Sequence, residues 1–313
     1  MKYLAPETKS SFMFPNFLPQ TAVNLTESTS INLLQSLEQI AVATTLSQQE
    51  IATTYVRAGS GNTPILLLHG FDSSVLEFRH LLPFLAKNQE VWAVDLLGFG
   101  FTQRVAGLKF SAMDIKTHLY SFWQNLINQP VILVGASMGG AAAIDFTLTY
   151  PDIVEKLVLI DSAGLTGSSP VGKFLFPPFD YLATEFLRNP KVRQSISKAA
   201  YQDKSFASED ARLCAALHLE MPDWSQALVA FTKSGGYKAF RFKQLGNISK
   251  PTLILWGDSD NILGIKDAPR FRRAIPGSEL CWIKNCGHVP HLEQPQVTAE
   301  KILNFLVGDS NKN

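Results

Sequence analysis

Cysteine is scarce in this chain of 313 residues: the three thiols, at 214, 281 and 286, fit no even-numbered framework and no C-x-x-C pair. That argues against a disulfide scaffold, and free thiols in a reducing, cytoplasmic setting are the expectation. Long apolar runs are missing as well. Stretches such as 64–68 and 131–134 fall far short of the roughly 20 residues of a membrane helix, so no transmembrane segment is expected. Nor does one sign of charge dominate, since 28 Lys and Arg meet 27 Asp and Glu for a net charge of +1. Such a balance gives no general attraction to nucleic acid or anionic membranes. There is no P-loop, dinucleotide fingerprint, metal-ligand cluster or internal repeat, so no cofactor or metal is expected and the expected partner is a small-molecule substrate. Residues 1–29 lack the basic start and apolar stretch of a signal peptide. Rich in Pro, Ser, Thr and Asn, they read as a poorly ordered tail, with Phe12, Phe14 and Phe17 able to pack on a surface.

What the chain does have is a rhythm. Helical spacing at 31–39 precedes two strand-like runs, 40–46 and 51–58, joined by Ser47-Gln48-Gln49-Glu50 as in an antiparallel hairpin. Apolar runs at 65–68, 91–95, 131–134, 157–161, 251–257 and 279–283 read as strands buried on both faces. Helix-like segments at 77–87, 114–128, 138–150, 265–274 and 295–307 alternate with them. The pattern predicts an α/β fold: a mostly parallel eight-stranded sheet flanked by helices, with right-handed crossovers. Between 163 and 249 the rhythm stops. That interval carries 11 Lys and Arg against 7 Asp and Glu and includes helix-compatible stretches at 209–220 and 225–233. It reads as a mostly helical lid inserted into a core made of residues 30–162 and 250–313.

The segment Val131-Ile132-Leu133-Val134-Gly135-Ala136-Ser137-Met138-Gly139-Gly140 reads as strand, sharp turn and helix, with Ser137 at the tip. So tight a turn needs glycine two residues before and two after the serine, because strand and helix come close together. A serine hydroxyl is a weak nucleophile until a base takes its proton and a third group orients that base. Of the six histidines, His288 is the candidate base, since it follows the strand at 279–283 in the loop Asn285-Cys286-Gly287-His288-Val289-Pro290. His80, His118 and His218 read as surface or packing residues, His69 as a structural hydrogen-bonder and His291 as a local one. For the acid, Asp258 and Asp260 compete and spacing does not choose between them; Asp161 is a conceivable third, although Asp95 and Asp161 read first as loop-fixing residues. Two N–H groups suit an oxyanion hole, Met138 next to the serine and Phe71 after Gly70, which lets the backbone approach closely.

With these motifs in place, the chain resembles the α/β-hydrolases that carry a serine nucleophile and a helical lid, over about residues 40 to 307. The resemblance rests on His69-Gly70-Phe71, Asp95-x-x-Gly98-x-Gly100, Gly135-x-Ser137-x-Gly139-Gly140, Leu157-Val158-Leu159-Ile160-Asp161, Gly257-x-x-Asp260 and Gly287-His288-x-Pro290-x-x-Glu293. It implies Asp260 as the acid and a triad in the order Ser137, Asp260, His288, with Glu293 a structural residue. Thr102 and Gly264 depart from the commoner serine and proline without touching the triad. The implied activity is hydrolysis through an acyl-enzyme, without a particular substrate; a small, lipophilic, ester-type substrate is the leading expectation. The insertion's aromatic residues Phe174, Phe176 and Phe179, with Tyr181 and Phe186, either line an acyl pocket or simply pack. Alternatives are a C–C bond hydrolase of the meta-cleavage type and a non-catalytic ligand-binding protein on the same fold.

Overall fold

The computed structural model describes residues 14–165 and 179–308, with backbone alone for 179–181. The chain opens with α1 (Ser28–Gln35) and the strands β1 (Glu38–Val42) and β2 (Ile51–Ala58). Then come β3 (Ile65–Leu68), α2 (Leu82–Leu85), β4 (Val91–Val94), α3 (Ala112–Leu126), β5 (Val131–Ala136), α4 (Met138–Thr149) and β6 (Val154–Ile160). The insertion contributes α5 (Phe179–Arg188), α6 (Pro190–Ala200), α7 (Glu209–Cys214) and α8 (Trp224–Lys233). The chain closes with β7 (Thr252–Gly257), α9 (Asp267–Ala274), β8 (Glu279–Ile283), α10 (Pro290–Glu293) and α11 (Pro295–Val307).

The strands form one eight-stranded sheet in the order β1-β2-β4-β3-β5-β6-β7-β8. The β1–β2 and β2–β4 pairs are antiparallel, and every other pair is parallel. Alternate residues feed opposite faces, as the pleat requires. Leu66, Leu68 and Leu133 join one core cluster, while Ile65, Leu67 and Val134 join the other. From β3 the chain steps outward to β4 and then crosses back to β5, so strand order reverses between β3 and β5. A crevice opens at such a reversal, beyond the strands' carboxyl ends.

Three local expectations change. The helix expected over 77–87 is broken into a 3₁₀ turn, Val75–Phe78, and the single turn α2. Pro83, which has no N–H and crowds the carbonyl four residues back, interrupts the ladder. In the hairpin, Val42 pairs with Ile51, so β1 ends at Val42, earlier than the run at 40–46 suggested, and the link is longer. Residues 14–29 are not a loose tail: Leu18, Ala22 and Leu25 are buried in the same cluster as α1's Leu33 and Leu34. The N–H groups of Thr26 and Glu27 and the Ser30 hydroxyl all donate to Asp210 of α7, at 2.6, 2.9 and 2.6 Å. Phe12 lies outside the described residues. Cys214, Cys281 and Cys286 are free thiols, and no described helix is long and apolar enough to cross a membrane.

Candidate active site

The turn after β5 is as tight as its sequence demands. A Cβ on Gly135 would stand 2.2 Å from the Gly139 carbonyl oxygen, and one on Gly139 would stand 2.0 Å from that of Leu68. Neither position tolerates a side chain. Ser137 itself adopts φ 51 and ψ −116, a conformation L-residues rarely hold. Its backbone is tied down by N–H donation to Ile160 (2.9 Å) and by its carbonyl, which accepts from Ala163 (2.9 Å) and Gly140 (3.0 Å). The strain is therefore held in place from β6 and α4 together.

Four further strand ends bring their residues to the same edge. After β8, His288 lies in a loop pressed against the end of α6, with its N–H donating to the Ala200 carbonyl at 2.7 Å. After β7, Asp260 accepts from Ile262 N–H (2.7 Å) and Leu263 N–H (3.1 Å) through Oδ1, while Oδ2 meets His288 Nδ1 at 3.0 Å. Burial would raise the Asp260 pKa, but the imidazole and the two N–H groups outweigh it and hold the carboxyl below its ordinary value. Asp258 turns elsewhere, toward Cys286 N–H (3.4 Å) and Lys284 (3.9 Å). Geometry thus separates two acids that spacing could not.

Asp161, after β6, was read as a loop-fixing residue and does accept from Gly257 N–H at 3.0 Å. It also stands within 4.8 Å of both Asp260 and His288. Complete burial, and then the neighbouring Asp260 charge, push its pKa well above the usual carboxylate range, which favours its neutral form beside Asp260.

After β3, Gly70 comes so near the serine that a Cβ there would lie 3.4 Å from the Ser137 Cβ. Glu77 takes the Gly70 N–H at 2.8 Å, and its other oxygen is 3.0 Å from His291 Nε2. That leaves Phe71 N–H and Met138 N–H without partners among the described residues, two donors flanking the serine. His69 is structural as expected: Nδ1 meets the Gly70 carbonyl at 2.8 Å and Nε2 accepts from Leu96 N–H at 3.0 Å. Burial lowers its pKa to about 4, so it is neutral. Asp95 fixes loops, accepting from Val75 and Phe101 N–H at 2.7 Å each. Glu293 does more than open a helix, because it accepts from Gln202, Asp203 and Gly287 N–H and so joins the insertion to the His288 loop.

Ser137, His288, Gly70 and Phe71 share the wall of a cavity of about 270 Å³ with Leu76, Ile196, Ala200, Tyr201, Ala215, Val289 and Leu292. A shallower depression bounded by α6 alone, at Pro190, Lys191, Gln194, Ser195 and Lys198, has no histidine or carboxylate in its wall. Of the expected aromatic lining, Phe174 and Phe176 lie outside the described residues, as does the side chain of Phe179; Phe186 is exposed. Instead the Phe71 ring meets Phe99 of the core edge-on and Phe231 of α8 at a tilt, with centroids 6.1 and 5.8 Å away. Sequence reasoning passed over Asp72. Held at φ 49, it accepts from His218 Nε2 (3.1 Å), Trp224 Nε1 (2.8 Å) and Arg193, all from the insertion. Its partners are more than a hundred positions away, so no local signal pointed to it.

Known proteins resemble this chain in sequence and in fold. The chain is 30% identical over 302 residues to the alpha/beta hydrolase domain-containing protein VTE7 of Arabidopsis thaliana, covering 94% of this chain and 91% of that one. It is 27% identical to a 2-hydroxy-6-oxo-2,4-heptadienoate hydrolase of Pseudomonas putida, over 83% of this chain and 94% of the relative. A thermophilic esterase structure from Thermogutta terrifontis superposes with a TM-score of 0.74 at 25% identity, over 87% and 98% of the two chains. A model of the alpha/beta hydrolase fold matches residues 63–295, and the chain belongs to that family of hydrolases.

Proposed function

We propose that this protein is a serine hydrolase that cleaves a small, lipophilic ester through an acyl-enzyme. The observation that carries the reading is the His288 Nδ1 to Asp260 Oδ2 contact of 3.0 Å in a loop that shares its cavity with the strained Ser137. With Nδ1–H committed to the carboxylate, Nε2 is the free lone pair, which is the state a general base requires. Ser137 Oγ then attacks the carbonyl carbon as His288 Nε2 takes its proton. The oxyanion forms between the N–H groups of Phe71 and Met138, and the positive end of α4 adds to their effect. His288 returns the proton to the departing alcohol, and water, activated by the same imidazole, releases the acid. Asp260 stays ionised throughout.

The cavity supports an uncharged acyl group. Its walls are mostly aliphatic; of its charged side chains Arg193 is paired with Asp72 and Glu77 with His291, while Arg79 donates through Nη1 to the Leu76 carbonyl and stands 4.0 Å from Glu27. The Pseudomonas putida relative keeps the C–C hydrolase reading alive: that substrate carries a carboxylate, and although Arg193 is occupied by Asp72, Arg79 also lines the cavity. The insertion serves as a lid. A fluorophosphonate reagent should label Ser137, and Ser137→Ala should abolish labelling and turnover on acyl esters of graded chain length. Labelling that survives the substitution places the nucleophile elsewhere; turnover of a vinylogous diketone without ester turnover favours C–C cleavage; absence of both, with ligand binding retained, favours a binding protein.

A further inference from the structure

The loop that offers Phe71 N–H is anchored on both sides, and the two anchors differ in origin. On one side Gly70 N–H is held at 2.8 Å by Glu77, which belongs to the core. On the other, the Asp72 carboxylate is held by three donors that all come from the insertion: Arg193 of α6, His218, and Trp224 of α8. Asp72 is nearly sealed from solvent, and His218 is fully buried. A buried carboxylate is costly unless its lone pairs are filled, so removing the insertion's donors would drive Asp72 toward water. Asp72 is also at φ 49, in the left-handed region, where few residues rest without outside support. A turn of that residue rotates the peptide plane that carries the Phe71 carbonyl and so, through the Phe71 Cα, shifts the adjoining plane that carries the Phe71 N–H.

We propose that Asp72 is a positioning residue that makes the oxyanion hole depend on the docked insertion. The inference rests on the serine-hydrolase reading and concerns its regulation: with α6 and α8 seated, Asp72 is clamped and Phe71 N–H points at the developing oxyanion; with them lifted, the donor is misaimed and the serine idles. Chemistry is thereby withheld until the cavity is closed. Phe71's side chain follows the same logic, since its ring spans Phe99 of the core and Phe231 of α8.

Asp72→Asn isolates the effect, because asparagine tolerates a positive φ while losing the charge that draws the three donors. Trp224→Phe removes one donor and keeps most of the ring packing. The readouts are kcat and KM on p-nitrophenyl acetate, too small to depend on acyl contacts with the insertion. Added to these is the ratio of binding constants for an aryl trifluoromethyl ketone, which forms an oxyanion on the serine, and its alcohol counterpart, which does not. Loss of an oxyanion donor costs about 10² to 10³ in kcat, and misplacing one should cost at least ~10-fold. Asp72→Asn should lower kcat by that factor with KM within about twofold, and weaken the ketone but not the alcohol. Trp224→Phe should move the same way by less, and the double variant should be no worse than Asp72→Asn. An unchanged ketone-to-alcohol ratio in Trp224→Phe and in any Asp72→Asn that folds, or multiplicative losses in the double variant, overturns the inference. If the parent takes no fluorophosphonate label, the serine-hydrolase reading fails first, and the two failures are told apart.

Discussion

Two carboxyl groups stand beside His288, and replacing each by its amide should have opposite consequences. In Asp260→Asn the amide orientation is dictated by the backbone. Ile262 and Leu263 N–H both point at Oδ1, at 2.7 and 3.1 Å, so the amide oxygen must take that place. Its NH₂ then occupies the Oδ2 position, 3.0 Å from His288 Nδ1. The imidazole must accept there and carry its proton on Nε2, which leaves no lone pair for the serine. A wrong tautomer of this kind lowers turnover by about 10⁴-fold, or roughly 5.5 kcal/mol of transition-state stabilisation. Burial and the Asp260 charge push the Asp161 pKa well up, which favours its neutral form. An amide mimics a neutral carboxyl closely: in Asp161→Asn the amide oxygen would keep the Gly257 N–H bond of 3.0 Å, and the NH₂ would face Asp260 as a donor. Turnover by Asp161→Asn should therefore stay within about threefold of the parent. Steady-state kinetics on a short ester, with thermal midpoints to show that both variants fold, measures the pair. If Asp161→Asn is as damaging as Asp260→Asn, the ionised partner of His288 has been misidentified and the reasoning about protonation fails.

Three other perturbations test the surrounding structure. Gly139→Ala puts a Cβ 2.0 Å from the Leu68 carbonyl oxygen, so β3 and α4 must part; denaturant titration should show a loss of about 3 kcal/mol or more, and a smaller loss would mean that the elbow is looser than its geometry. His118 is buried against Thr53, and burial lowers its pKa from 6.5 to about 4. The unfolded chain therefore binds that proton first as pH falls, and the stability His118 contributes is full above pH 6.5 and lost toward pH 4. The stability of the parent minus that of His118→Gln should decline by about 1.4 kcal/mol per pH unit across that window, and a flat difference would refute the buried neutral state. Asp210→Ala strands the Thr26, Glu27 and Ser30 donors; it should cost about 3 kcal/mol and expose residues 14–30 to limited proteolysis, whereas unchanged proteolysis would show that apolar packing alone holds them.

Some of this was legible in the chain, and the reason is steric. Gly135 and Gly139 stand where any side chain collides with backbone, so the elbow admits few spellings. The parallel strands are buried on both faces, so they read as unbroken apolar runs. Asp260 was not separable from Asp258, because the choice depends on which carboxylate the loop turns inward over Ile262 and Leu263 N–H. The crowding around Asp161 was not legible for a related reason: the upward push on its pKa comes from burial beside a residue 99 positions later in the sequence. Over residues 14–29 the tail was misjudged because Pro, Ser and Thr weigh heavily in its composition, while three of its apolar side chains, Leu18, Ala22 and Leu25, are buried in one core cluster. Composition averages over a segment and misses such spacing.

The insertion raises a different question, how a helical segment with a modest core of its own keeps a fixed place over the sheet. Apolar contacts resist separation but have little direction, and α6 carries no fully buried residue. Direction comes from three carboxylates, each shared by segments distant in sequence. Asp72 of the core gathers donors from α6, His218 and α8. Glu293 of α10 takes Gln202 and Asp203 N–H from the insertion and Gly287 N–H from the His288 loop. Asp210 of α7 takes Thr26, Glu27 and Ser30 from the amino-terminal segment. Hydrogen bonds to ionised groups are stronger and more directional than neutral ones. Two of the three hubs adjoin residues proposed for chemistry, Phe71 beside Asp72 and His288 beyond Gly287. The groups that seat the insertion are thus bonded to the loops that would carry out the reaction, so a shift of the insertion acts on backbone within one or two residues of the proposed oxyanion donor and base.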